Sequence, residues 1–133
     1  MIDYAEFDKV NSQFKFLVDT DFATAFDLKK KSASLQHYFG EKLSEIEKAN
    51  AKALRDGDYK KASIYREYRE KYKTTDAREL YVSDPEVKNC YDKYDDLNEI
   101  RSKLVAIIKY LDKIYYICQE ITERGARRYG KDS

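Results

Sequence analysis

The stretch Asp84–Thr122, DPEVKNCYDKYDDLNEIRSKLVAIIKYLDKIYYICQEIT, decides the fold. It reads as one long amphipathic helix. Ser83 or Asp84 supplies an N-cap oxygen for the free N–H groups of the first turn, and Pro85 takes the first helical position, where a missing N–H is not felt. Glu86 sets negative charge at the positive end of the helix dipole. No further Gly or Pro follows until Gly125. Val87, Cys90, Tyr94, Leu97, Leu104, Ile108, Leu111, Tyr115 and Cys118 recur at helical spacing, with Arg101 as the polar interruption. A second stripe runs beside it through Ile100, Leu104, Ile107, Leu111, Ile114, Cys118 and Ile121. Two adjacent stripes make a face wider than a two-stranded coiled-coil seam, which implies more than one packing neighbour. At about 1.5 Å per residue the helix approaches 60 Å, which points to a helical hairpin or an oligomer.

Working outward, the chain of 133 residues has the length of a single domain, 1–133, with enough residues for a modest core. Charged residues make up 38% and there is a single proline, so solvated helices are favoured over sheets. The net charge of +1 selects no partner, but the charge is segregated: −4 over residues 1–28, +6 over 29–73, −5 over 74–100 and +4 over 101–133. Such blocks steer polyanions, fix a self-association register, or complement one another between packed helices. The two cysteines, Cys90 and Cys118, lie 28 positions apart on the same helix, roughly 42 Å, far beyond disulfide reach. They read as small buried hydrophobes in a reducing compartment. No signal peptide or membrane-length apolar run is visible, so a cytoplasmic protein is expected, in the host cell cytoplasm if phage-encoded.

Before the long helix, residues 3–18 form a short amphipathic helix with Tyr4, Phe7, Val10 or Asn11, and Phe14 on one face. Asp19, Thr20 and Asp21 interrupt it and offer an N-cap for a helix from about Phe22 to Arg55, with a break near Ser32–Ser34 an equal alternative. Asp56-Gly57-Asp58 is the clearest turn signal in the chain, with a helix over 59–73 returning antiparallel after it. Residues 74–83 make a connector anchored by Leu80, Tyr81 and Val82, and Gly125 and Gly130 signal the end of the last helix.

Little here carries catalysis, and no cofactor or metal site is expected. His37 is the only histidine and fits a core edge or surface. Phosphate loops, nucleophile elbows and paired Cys-x-x-Cys motifs are absent. Asp92, Asp95, Asp96 and Glu99 share a helix face, but interleaved Lys93 fits a solvated surface better than a cation cage. The informative pattern is basic residues among tyrosines. Thirteen tyrosines stand against no tryptophan, and Tyr59, Lys60, Lys61, Tyr65, Arg66, Tyr68, Arg69, Lys71, Tyr72 and Lys73 fall in one run. Cations there would neutralise phosphates and tyrosine faces would stack bases, as at a single-stranded nucleic-acid surface. Arg124, Arg127 and Arg128 supply a second basic set and Lys29-Lys30-Lys31 a third. The competing reading packs the tyrosines on the long helix and leaves the cations in water.

Two resemblances add to this. ALRDGDYKKASIYREYREKY, with Asp58-Tyr59-Lys60-Lys61-Ala62 at its turn, resembles the UVR-type helical hairpin over residues 45–73, which implies protein–protein docking. Tyr81-Val82-Ser83-Asp84-Pro85-Glu86-Val87 resembles the entry to the last helix of the phage UvsY-type recombination mediators. The ladder Leu111, Ile114, Ile117, Ile121 ending in Arg124 is similar to that family's exit, and Ser34-Leu35-Gln36-His37-Tyr38-Phe39 to its first long helix. The interval from Asp84 to Arg124 is about ten residues longer than in that family. The resemblance implies a non-enzymatic single-stranded DNA-binding accessory protein that forms a homo-oligomer and meets a recombinase or another protein partner. A protein–protein adaptor or structural assembly subunit built on a helical hairpin is the alternative. The fold expected on either reading is all-α, an elongated hairpin or bundle with a long C-terminal helix as its spine.

Overall fold

The structure, a computed structural model, describes residues 1–130, with side chains through 127. It is all-α. Four helices follow in order among the described residues: α1 (Ala5–Lys15), α2 (Phe22–Lys71), α3 (Thr74–Val82) and α4 (Pro85–Gly130). Two compact units form, one from Met1–Lys42 with the chain from Leu104 onward, the other from Leu43–Lys103. Both α2 and α4 contribute to each unit.

Three of the four helices, α1, α2 and α4, begin where a carboxylate satisfies free N–H groups, whereas α3 follows Lys73 without a side-chain cap. The Asp3 carboxylate accepts from Ala5 N–H at 2.9 Å ahead of α1. Asp21 accepts from Thr24 N–H at 3.1 Å and from its hydroxyl at 2.6 Å, and these bonds hold the Asp21 carboxyl below its ordinary value. Of the two candidate caps before Pro85, Asp84 is the one used, accepting from Glu86 N–H at 2.9 Å.

In the first unit α1 packs by its aromatic face. Phe39 of α2 is fully buried, meeting the ring of Tyr4 at 5.9 Å and that of Phe7 at 6.1 Å. Phe7 and Phe14 reach Tyr110 of α4 edge-on, and the Tyr110 hydroxyl donates to Asn11 Oδ1 at 2.7 Å. Leu28, Leu104, Leu111, Ile114 and Cys118 complete the core, the larger of them contributing about 1.5–3 kcal/mol each by burial. Burial also raises the Cys118 thiol above its ordinary range. The break near Ser32–Ser34 does not occur. Ser32 is wholly buried inside α2, its hydroxyl without a partner.

In the second unit α2 and α4 run antiparallel. Asn50 donates to Tyr94 O at 3.2 Å, Arg101 reaches Glu47 at 3.4 Å, Lys60 reaches Glu86 at 3.7 Å and Tyr68 donates to Asp84 at 2.7 Å. Numbers rise along one helix as they fall along the other. Ala53, Ile64 and Val87 are buried between them.

Three expectations need correction. Asp56-Gly57-Asp58 is not a turn, and residues 59–73 are not a separate returning helix: α2 passes through this segment without a break. Gly57 keeps a negative φ and is buried, and a Cβ there would stand 3.4 Å from Cys90 Cβ. It lies in the packed seam with α4, at ordinary contact distance for a methyl group. Gly125 likewise does not end the last helix, which reaches Gly130. A Cβ on Gly125 would fall 2.7 Å from Cδ1 of Phe22. The aromatic ring uses the space. The connector is itself a helix, α3, seated by buried Ala77, while Leu80 and Val82 are exposed and only Tyr81 of the expected anchor is half-buried.

Candidate nucleic-acid interface

Because α2 is continuous through Gly57, residues on either side of it share one helical register. Lys48, Lys52, Arg55, Tyr59, Ala62, Arg66 and Arg69 follow at alternating steps of four and three. On a helix of 3.6 residues per turn they fall within an arc of about 100°. The arc lies opposite buried Ala53, Gly57 and Ile64, so the face points away from α4, and all seven residues are exposed. From Lys48 to Arg69 it extends about 30 Å. Tyr59, 79% exposed, stands between Arg55 and Arg66. Neither arginine has an ion-pair or hydrogen-bond partner among the described residues. Glu70 flanks the far end and Glu45 the near end.

The expected contact residues divide between this face and others. Arg66 and Arg69 belong to it, Arg69 also donating to the Thr74 hydroxyl. Lys60 and Lys61 do not. They flank the buried seam, Lys60 against Glu86 and Lys61 over the rings of Tyr81 and Tyr91 at 5.9 and 5.6 Å. Tyr91 above all, and then Tyr81, keep the Lys61 ammonium charged beyond its ordinary range. Tyr65 packs its ring on Tyr81, centroids 4.9 Å apart. It is a structural tyrosine rather than an open stacking face.

Arg124 and Arg127 are exposed on α4 in the other unit, each donating from Nε to a carbonyl one turn back. Arg128 lies on α4, and its side chain falls outside the described residues. The Lys29–Lys31 run is engaged at every position: Lys29 over Tyr115, Lys30 over Phe26 and Lys31 with Asp27 at 3.0 Å. Asp92, Asp95, Asp96 and Glu99 lie exposed along the outer face of α4. No three His, Cys, Asp or Glu side chains gather to hold a metal ion among the described residues. His37 is exposed and pairs with Glu41 at 3.0 Å.

Lys48, Lys52 and Arg55 were missed because the expected turn at 56–58 separates them from Tyr59, Arg66 and Arg69. The signal that finds them is the four-three spacing itself, once a single helix is allowed to cross Gly57. Among the described residues no helix is long and apolar enough to cross a membrane. No family model, no curated protein and no solved structure matches the chain.

Proposed function

We propose that this chain is a non-enzymatic, single-stranded DNA-binding accessory protein, and that the outer face of α2 from Lys48 to Arg69 is its contact surface. One observation carries the reading: an exposed stripe of five cations with a tyrosine at its centre and an alanine beside it, unpaired at Arg55 and Arg66. Cations spaced along about 30 Å suit a polyanion better than a small ligand. Small Ala62 leaves the flank of Tyr59 open, so a base can reach the ring without sequence preference. A role beside a recombinase, as the resemblance to phage recombination mediators implies, and assembly into a homo-oligomer belong to the same proposal.

Titration of a fluorescent oligothymidylate at several salt concentrations tests it. For single strands the logarithm of affinity falls with the logarithm of salt by about 0.7 per phosphate neutralised, so engagement of Lys48, Lys52, Arg55, Arg66 and Arg69 gives a slope near −3.5. Absence of salt-dependent binding at micromolar protein removes the reading.

The adaptor reading draws on a different observation, the exposed acidic row Asp92, Asp95, Asp96 and Glu99 on α4. A basic protein surface would bind there, and the same titration with an added cationic peptide distinguishes the two.

A further inference from the structure

On the side of the second unit where α3 meets α4, a cavity of about 260 Å³ opens to solvent. It is independent of the outer face of α2, since the α2 residue that reaches it is Lys61 rather than Arg55 or Arg66. Its walls are mostly apolar and aromatic: Tyr81 and Val82 from α3, Val87 and Tyr91 from α4. The Lys61 ammonium lies over both tyrosine rings, 5.9 and 5.6 Å from their centroids. Both ring faces therefore look onto one point, and that point is positively charged. The Tyr91 hydroxyl lies 3.5 Å from Asp58 Oδ1, and the Tyr81 ring packs edge-on against Tyr65. Lys88 and Asp92 stand at the rim, one turn apart on α4. Val82, 62% exposed, forms the open lip.

We infer that this slot binds a nucleotide, an aromatic base carrying a phosphate. The volume of about 260 Å³ falls just below the range of drug-sized ligand pockets, about 300–1,000 Å³, which suits one base rather than a larger cofactor. A flat π-system gains from lying against a tyrosine face. Its phosphate gains from the ammonium groups of Lys61 and Lys88. The Asp92 carboxylate repels a bare anion but accepts a hydrogen bond from an exocyclic amine, so the complementary ligand carries a donor edge as well as a negative charge. An amino-bearing base with a phosphate combines the three.

The test is a titration of the full chain, followed by NMR, with adenosine monophosphate, inorganic phosphate and phenyl phosphate in parallel. The expected result is saturable shifts for Tyr81, Val82, Val87 and Tyr91 with adenosine monophosphate and none of comparable size with the other two. Tyr91→Leu should weaken the nucleotide about five- to a hundredfold, the loss of one base–aromatic contact. Val82→Trp, at an exposed position where folding is not at stake, should block the slot and abolish the shifts. Arg55→Ala with Arg66→Ala should leave nucleotide binding unchanged. Equal shifts with inorganic phosphate or phenyl phosphate, shifts confined to the outer face of α2, or binding unaffected by Val82→Trp would each overturn the inference.

Discussion

Gly57 of α2 faces Cys90 of α4 so closely that a Cβ on the glycine would stand 3.4 Å from the cysteine Cβ. That separation is ordinary van der Waals contact, and the backbone at Gly57 is helical, with no positive φ. Replacing it by Ala therefore removes the helix penalty of glycine without a clash. Gly57→Ala should stabilise the fold by about 0.5–1 kcal/mol, read as a raised denaturant midpoint. A turn with Gly57 in the left-handed region would give the opposite sign.

Gly125 gives the contrasting outcome. A Cβ there would meet Phe22 at 2.7, 2.8 and 3.1 Å, so the ring has to move. Overpacking of this kind costs about 1–3 kcal/mol, and the gain of about 1 kcal/mol from helix propensity offsets only part of it. Gly125→Ala should lower the denaturant midpoint, whereas Gly40→Ala, where nothing lies within 4 Å, should raise it.

The Tyr68 hydroxyl donates to Asp84 Oδ2 at 2.7 Å. This bond, first among the causes, holds the Asp84 carboxyl below its ordinary 3.8 and raises the Tyr68 phenol above its ordinary 10.0. A depressed carboxylate stabilises the fold above pH 3.8, and that contribution is lost as pH falls through the folded value. A raised phenol stabilises below pH 10.0, and that contribution is lost as pH rises through the folded value. The stability difference between the wild type and Tyr68→Phe should be present between these limits and shrink at both ends. Urea unfolding across pH checks it, and a difference that does not change with pH would contradict it.

Ser32 is wholly buried and its hydroxyl has no partner. Ser32→Ala removes an unsatisfied polar group and improves helix propensity, so it should stabilise by about 1 kcal/mol or more in thermal unfolding. A destabilised variant would place a hydrogen bond on Oγ.

Much of the fold was legible in the sequence because periodicity and capping are local. The double stripe on α4, the Asp84-Pro85 entry and the Asp21 cap all follow from residues within a turn or two of one another. The glycines were misread for one reason. Gly57 and Gly125 carry the composition of helix ends, but the space they leave is used by Cys90 and Phe22, more than thirty positions away in sequence. That error propagated to the site. A turn at 56–58 puts Lys48, Lys52 and Arg55 on a different helix from Arg66 and Arg69, whereas a continuous α2 aligns them. Lys60, Lys61 and Tyr65 were legible as basic and aromatic residues, but their engagement beside the seam depends on Glu86, Tyr81 and Tyr91, which only the packing of α3 and α4 supplies.

The outer face of α2 is tested most directly by comparing two charge reversals in the oligothymidylate titration, Arg55→Glu with Arg66→Glu, and Arg124→Glu with Arg127→Glu. All four arginines are exposed, so both variants should fold. The expected result is that the first variant loses at least tenfold in affinity and its salt slope shrinks by about 1.4, the share of two phosphate contacts, while the second keeps most of both. Equal loss in the two variants, or an unchanged slope in the first, would contradict the assignment of this face.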